Sequence, residues 1–343
     1  MKVLKKNNLI ITLLGLIFVI GFLYAQTVDS LTEELEKLVQ QRKGYVQQMQ
    51  DANDAGNLDT YNAVKEKYDS ISKEIDDLKN KILALGNQEQ QAKKAINDGN
   101  DFLRVGQYDK ALEEFNKSLS LNPENPKAYV GRGIALKKLR NYDEAKAAFE
   151  QAITYDSTYS SAYYNLASLY SDRDQDSKAI NFFHKVVKYD STNERAYYQI
   201  GYIYNKNKEY KKAVSAFNKA IKINPNYFNA YYALGKVMID LGDNNKAIEN
   251  LEKAVMIKPN YYAIHYYLAK AYNNVGRSQQ ALSAANDCLK YNKDFANAYI
   301  EIGQAYENMG NINKAIENYN KAGTMDVRLK KWVDWKINNL RSE

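Results

Sequence analysis

The chain reads as all-α, an array of short helical hairpins preceded by one longer hairpin. Three observations predict this. A unit of 34 residues recurs seven times without insertion, apolar residues upstream of it recur at alternating spacings of four and three, and only four prolines and sixteen glycines punctuate 343 residues. The period is plainest in SAYYNLA (161–167), RAYYQIG (195–201) and NAYYALG (229–235), which carry the same doubled tyrosine. Gap-free repetition at this length predicts a solenoid, in which each unit buries its apolar face against its neighbours.

Residues 1–25 come first. Lys2, Lys5 and Lys6 precede an apolar run from Leu9 to Tyr24, and Ala25 is followed by the polar Gln26. This is the layout of a secretory signal peptide cleaved after Ala25. With Ala25 included the run reaches 17 residues, the lower limit for a span, so an uncleaved membrane anchor is the alternative. On either reading the rest of the chain is exported, into the periplasm or onto the cell envelope. The lone Cys288 allows no intramolecular disulfide and says nothing of the redox compartment.

Residues 26–91 predict a coiled-coil helical hairpin. Leu31, Leu35, Leu38, Arg42, Tyr45, Met49 and Ala52 form one seam, DANDAGNLD breaks it, and a second runs through Leu58, Tyr61, Val64, Tyr68, Ile71, Ile75, Leu78, Ile82 and Leu85. Each helix is expected to span about 25 residues, roughly 40 Å. A two-helix core is thin, so 29–86 reads either as a stalk or as a docking or dimerisation element. This segment has eight basic and thirteen acidic side chains, net −5, against +9 for residues 92–343. A surplus spread over so many helices is that of a solvated surface, and no nucleic-acid partner is expected.

The seven units are 92–125, 126–159, 160–193, 194–227, 228–261, 262–295 and 296–329. At the eighth position of each stands Gly99, Gly133, Ala167, Gly201, Gly235, Ala269 or Gly303, where two helices must approach closely. At the twentieth, every unit has alanine, from Ala111 to Ala315. Large residues fill the volume beside these points, Phe102 to Tyr306 at the eleventh position and Phe115, Phe149, Phe183, Phe217, Leu251 and Tyr319 at the twenty-fourth. The sixth unit departs, with Ala285 in the aromatic slot and Cys288 at a small position. Residues 330–343, with Trp332, Val333, Ile337 and Leu340 on one stripe, read as a helix capping the last unit.

Gly or Ala followed by Tyr three residues on, then Ala, then Phe, with Pro closing the unit at Pro123, Pro225 and Pro259, resembles the tetratricopeptide repeat family over residues 92–329. The resemblance implies a right-handed superhelix whose first helices line a concave groove, and a protein that binds other proteins rather than catalysing a reaction. It also implies which positions face that groove, the second, fifth, ninth, twelfth and thirteenth. The family's carboxylate clamp needs Lys at the fifth and Asn at the ninth position of the first unit. Ile96 and Asn100 stand there, so that specialisation is not expected.

The first tyrosine of each pair, at the fourth position (Tyr129, Tyr163, Tyr197, Tyr231 and Tyr299, with His265 in the sixth unit), falls on the packed stripe. The second lies about 100° further round the helix. Tyr164, Tyr198, Tyr232 and Tyr266 are therefore expected to form a ladder along the groove. Asn165, Arg195, Tyr202, Lys206, Asn229, Lys236, Tyr267, Lys270 and Asn274 join them on that face. Aromatic, amide and basic groups together suit an extended peptide, including an acidic one. The bland alternative is that these tyrosines pack against neighbouring helices.

No chemistry is expected. His184 and His265 lie in different units without metal-ligand spacing, Cys288 has no activating partner, and GRGIAL (131–136) falls inside a helix with no strand before it, so no catalytic residue, metal or cofactor is assigned. The leading expectation is a non-enzymatic adaptor gripping a polypeptide in its groove and docking or oligomerising through its hairpin. The order of leader, coiled coil and repeats resembles that of a periplasmic factor of bacterial envelopes, which implies the bacterial cell envelope as its setting. A membrane-anchored subunit of an assembly or secretion complex is the alternative. A carbohydrate binder, stacking sugars on the tyrosines, is a third class.

Overall fold

The computed structural model describes residues 27–342. The expected leader and its cleavage site lie outside them. Two units are distinguished, one ending at Asn165 and the other beginning at Leu166.

The first unit starts with α1 (Thr27–Asp54) and α2 (Leu58–Arg104). They reverse direction through a turn in which Gly56 has φ of 65° and Asn57 caps α2 by accepting from Thr60 N at 3.0 Å. The left-handed conformation suits glycine, which has no Cβ to clash. Leu31, Ala52, Val64, Ile71 and Ile75 are buried along the seam, and Leu35, Leu38, Tyr45 and Met49 are half-buried. Leu58 was expected to continue the second seam but is 70% exposed, because it sits at the tip of the turn where no facing turn of helix covers it.

The second arm is also longer than expected. α2 runs 47 residues without a break, about 70 Å, so the arm and the first helix of the first repeat are one helix. Gly86 is the weakest helix former in GNQEQQ (86–91), and one glycine costs only about 1 kcal/mol against alanine. Gln88 Nε2 donates to the Leu121 carbonyl at 2.9 Å, fastening this stretch beside α3 (Tyr108–Leu121). α4 (Pro126–Lys138) and α5 (Tyr142–Tyr155) follow, then α6 (Ser160–Asp172), within which the boundary between the units falls.

The second unit continues with α7 (Asp176–Tyr189), α8 (Glu194–Lys206), α9 (Tyr210–Ile223), α10 (Phe228–Asp240), α11 (Asn244–Ile257), α12 (Tyr262–Asn274), α13 (Ser278–Tyr291), α14 (Ala296–Asn308), α15 (Ile312–Met325), a 3-10 turn (Val327–Leu329) and α16 (Lys330–Ser342). Within each unit consecutive helices pack as antiparallel pairs, and the fold is an all-α repeat solenoid. Pro126 opens α4, where its missing N–H costs no hydrogen bond.

The small-residue positions act as close-approach points. A Cβ built on Gly133 would stand 2.4 Å from the Phe149 ring, on Gly201 2.7 Å from Phe217, on Gly235 2.6 Å from Leu251 and on Gly303 2.6 Å from Tyr319. The alanines of the twentieth position are all fully buried, as are Phe115, Phe149, Phe217, Leu251 and Tyr319. In the sixth repeat Ala285 and Cys288 are equally buried, and burial pushes the Cys288 thiol up to about 12.

The turn between the two helices of each repeat was not anticipated. Residues 106, 140, 174, 208, 242, 276 and 310 all have positive φ, and three are not glycine: Arg140, Asp174 and Lys208. At the end of the array α16 buries Val333, Ile337 and Leu340 against Ala315 and Tyr319. Trp332, expected on that stripe, lies at its edge, 40% exposed, with its ring edge-on to Tyr319 at 5.6 Å. Lys336 donates to Glu307 at 2.7 Å, and the same carboxylate accepts from the Tyr319 hydroxyl at 2.7 Å.

Candidate functional site

In the second unit, successive first helices touch: α8 lies against α10, α10 against α12 and α12 against α14. No comparable approach joins successive second helices among the described residues. The first helices therefore form the inner side of this stack, and the side chains they turn away from their partners line it.

The doubled tyrosines divide less sharply than their spacing suggests. Tyr163 and His265 are buried, but Tyr129, Tyr197, Tyr231 and Tyr299 are half-buried. Tyr129, Tyr197 and Tyr299 lean on the second helix of their own repeat. Tyr129 stacks on Tyr155 at 5.4 Å, Lys219 lies over Tyr197 at 5.5 Å, and Lys321 over Tyr299 at 4.3 Å. His265 stacks on Tyr291 at 5.5 Å and bonds the Pro259 carbonyl through Nε2 at 2.6 Å, a structural role.

The second tyrosines are half-buried too, and Tyr198, Tyr232 and Tyr266 each lie against the aromatic that closes their own repeat. Tyr198 meets Tyr227 edge-on at 5.5 Å and Phe217 at 5.7 Å. Tyr232 meets Tyr261 edge-on at 5.6 Å, and Tyr266 meets Phe295 at 5.2 Å. Instead of a free-standing ladder, the second unit has ring-on-ring packing, and between Tyr232 and Phe295 it forms one cluster, in which Tyr267 packs on Tyr232 at 5.7 Å and on Tyr266 at 4.9 Å. Burial, then the neighbouring phenols, pushes the Tyr232 hydroxyl above its ordinary value of 10.0. Tyr164 and Asn165 lie in the first unit, where both are half-buried and the Asn165 amide donates to the Ser161 carbonyl at 2.8 Å.

The loop aromatics were missed by the sequence reading. The signal was there, since Tyr227, Tyr261 and Phe295 share the same 34-residue interval.

The polar residues of the face differ in availability. Lys206 donates to Asp174 at 2.6 Å and to Asp176 at 3.2 Å, and Asn274 donates to Asn244 at 2.9 Å, so both tie successive repeats together. Lys270 is half-buried, and its charge acts on Glu301. Asn229 is half-buried, whereas Arg195 and Tyr202 are exposed. Lys236 has its Nζ 4.9 Å from the centroid of Tyr267 and 5.5 Å from that of Tyr232.

Beneath this face Glu301 is 7% exposed, as is Asn273, whose amide donates to Glu301 Oε2 and to the Glu301 carbonyl, both at 2.9 Å. Burial raises the Glu301 pKa above 4.5, the Asn273 bond and Lys270 opposing it. A carboxyl whose folded pKa is raised favours the folded state below its unfolded value, and that contribution is lost as pH rises through the folded one. Glu301→Gln should therefore melt like the unsubstituted protein below pH about 4.5 and above it at neutral pH, read from thermal unfolding across pH. A neutral-pH melting temperature at or below that of the unsubstituted protein counts against a penalised carboxylate.

Comparison with protein families matches "TPR repeat" over residues 99–139, 201–242 and 235–276, and "Tetratricopeptide repeat" over 126–159, 160–193 and 296–326, together more than half of the chain. Comparison with curated proteins finds no match. Among solved structures, the C-terminal part of a TPR repeat-containing protein from Cytophaga hutchinsonii is similar at 22% identity and TM-score 0.57, covering 70% of this chain and 98% of that one. PilF of Pseudomonas aeruginosa is similar at 17% identity and TM-score 0.52, covering 63% of this chain and 96% of that one. YrrB, described as a TPR protein with an unusual peptide-binding site, is 28% identical with TM-score 0.49, covering 53% of this chain and 93% of that one.

Proposed function

Because the chain belongs to the tetratricopeptide repeat family, we propose that it is a non-enzymatic scaffold that holds an extended segment of another protein on the inner face of its second unit. One observation carries this reading. The tyrosines of that face pack ring against ring, yet on the same face Tyr202 is 50% exposed and Arg195 of the same helix is exposed too. Pre-packed aromatic area costs little entropy when a partner covers it, and amides and cations at its margin can meet a peptide backbone.

The setting is the bacterial cell envelope, a reading supported by the lysine-led apolar run from Leu9 to Tyr24. The hairpin of α1 and α2 serves docking or oligomerisation, which the exposed Val46 and Leu83 beside its thin core support.

The test places a photocrosslinking side chain at Tyr202 in the full chain, with Glu249, an exposed residue of α11, as the control, in native envelopes. A reproducible protein product from position 202, absent from 249, is expected, and the N-terminus of the recovered chain shows whether it begins at Gln26. Tyr202→Ala should reduce recovery of that partner with no change in helicity. Equal products from both positions reject the inner face as the binding surface. An intact leader in a membrane complex favours the anchored assembly subunit.

A further inference from the structure

The three lysines on the inner face of the second unit are not equivalent. Lys206 is held by two aspartates, whereas Lys270 makes no ion pair among the described residues but lies near enough to the buried Glu301 for its charge to act on it. Lys236 has no carboxylate at ion-pair distance among the described residues; its contacts are the faces of Tyr232 and Tyr267. Two ring faces confine the ammonium but accept none of its three N–H donors. A second cation attends the same cluster, for Lys258 lies 4.6 Å from the Phe228 centroid and 5.4 Å from that of Tyr261.

Resting on the peptide-binding reading above, we propose that Lys236 is a single anchoring point for a carboxylate side chain of the bound segment, seated where the ammonium emerges between Tyr232 and Tyr267. The chemistry selects this occupant. Lys236 covers the ring faces on which a sugar or a base would stack. Phosphate is met best by the bidentate fork of an arginine or by several donors together, and this seat offers one point charge. A carboxylate needs one charge-assisted bond, which a single ammonium supplies. The net charge of +9 on residues 92–343 adds a weak long-range pull on an acidic segment.

The experiment uses the full chain and a fluorescent octapeptide of alternating glutamate and threonine, with its glutamine counterpart, followed by anisotropy at low salt. The glutamate peptide is expected to bind about tenfold more tightly than the glutamine peptide, the scale of one hydrogen bond between charged groups. Lys236→Met should remove that preference with helicity unchanged, and Lys206→Met should keep it. Equal binding of the two peptides, or equal loss in the two variants, overturns the proposal. So does displacement by inorganic phosphate far below the acetate concentration that has the same effect, which would make the seat a phosphate site. A Tyr202-crosslinked partner whose captured segment lacks acidic residues removes the anchor and leaves the peptide-binding reading standing. No inner-face product at all removes both.

Discussion

Phe217→Ala should lower the free energy of unfolding by about 3 to 5 kcal/mol, the range of large-to-small changes in well-packed cores. Phe217 is fully buried and shares its cluster with Ala213, Leu234, Val237 and Leu251. Its ring also occupies the space that Gly201 leaves open, so truncation empties a volume walled by two backbones, and helices cannot collapse into it without losing their register. A repeat array unfolds in segments, and the damage should concentrate there. Denaturant melts followed by circular dichroism would give the magnitude, and hydrogen exchange would place the loss in α8, α9 and α10. A loss below 1 kcal/mol would mean that the twenty-fourth position is not the centre of the repeat.

Gly201→Val should be destabilising by about 1 to 3 kcal/mol, the usual cost of forcing volume into a packed core. The sign is informative. Replacing a mid-helix glycine ordinarily gains stability, alanine being better by about 1 kcal/mol. Here the new Cβ would meet Phe217 Cδ1 and Cε1 at 2.7 Å, closer than any real contact allows. Ala167 stands at the equivalent position opposite Phe183, both buried, so one methyl can be absorbed by small shifts where a branched side chain cannot. The double variant Gly201→Val with Phe217→Ala should cost less than the two single changes added, since each relieves the other. Strict additivity in denaturant melts would show that the two residues do not oppose one another.

Position-eight glycines and position-twenty-four aromatics were legible in the amino-acid order because the same contact is written in most of the seven repeats. A residue type that recurs every 34 positions, where no helix propensity favours it, must answer a constraint that also recurs, and here it is the distance between two helix axes. Helical spacing of apolar residues likewise picked out Leu31, Val64, Ile71 and Ile75 in α1 and α2 and Val333, Ile337 and Leu340 in α16, all of them buried. Its failures are local. Leu58 fits the heptad arithmetic and is exposed at the tip of the turn, and the boundary placed near residue 91 dissolves into one continuous helix.

What periodicity determined by itself was which residues repeat and on which stripe of a helix each falls. Tertiary structure decided which neighbour meets each side chain across the stack. A sequence period measures angle around one helix. It carries no information on whether Lys206, Lys236 and Lys270, alike in charge and helix face, will find two aspartates, two tyrosine rings or a buried glutamate. Apart from Tyr232, which shares the helix of Lys236, those partners come from adjacent helices or turns, some of them about 30 residues away in the chain, and they vary from repeat to repeat because the backbone needs no particular residue there. The scaffold is set by contacts that every repeat must make, and the binding face by contacts that each repeat makes differently.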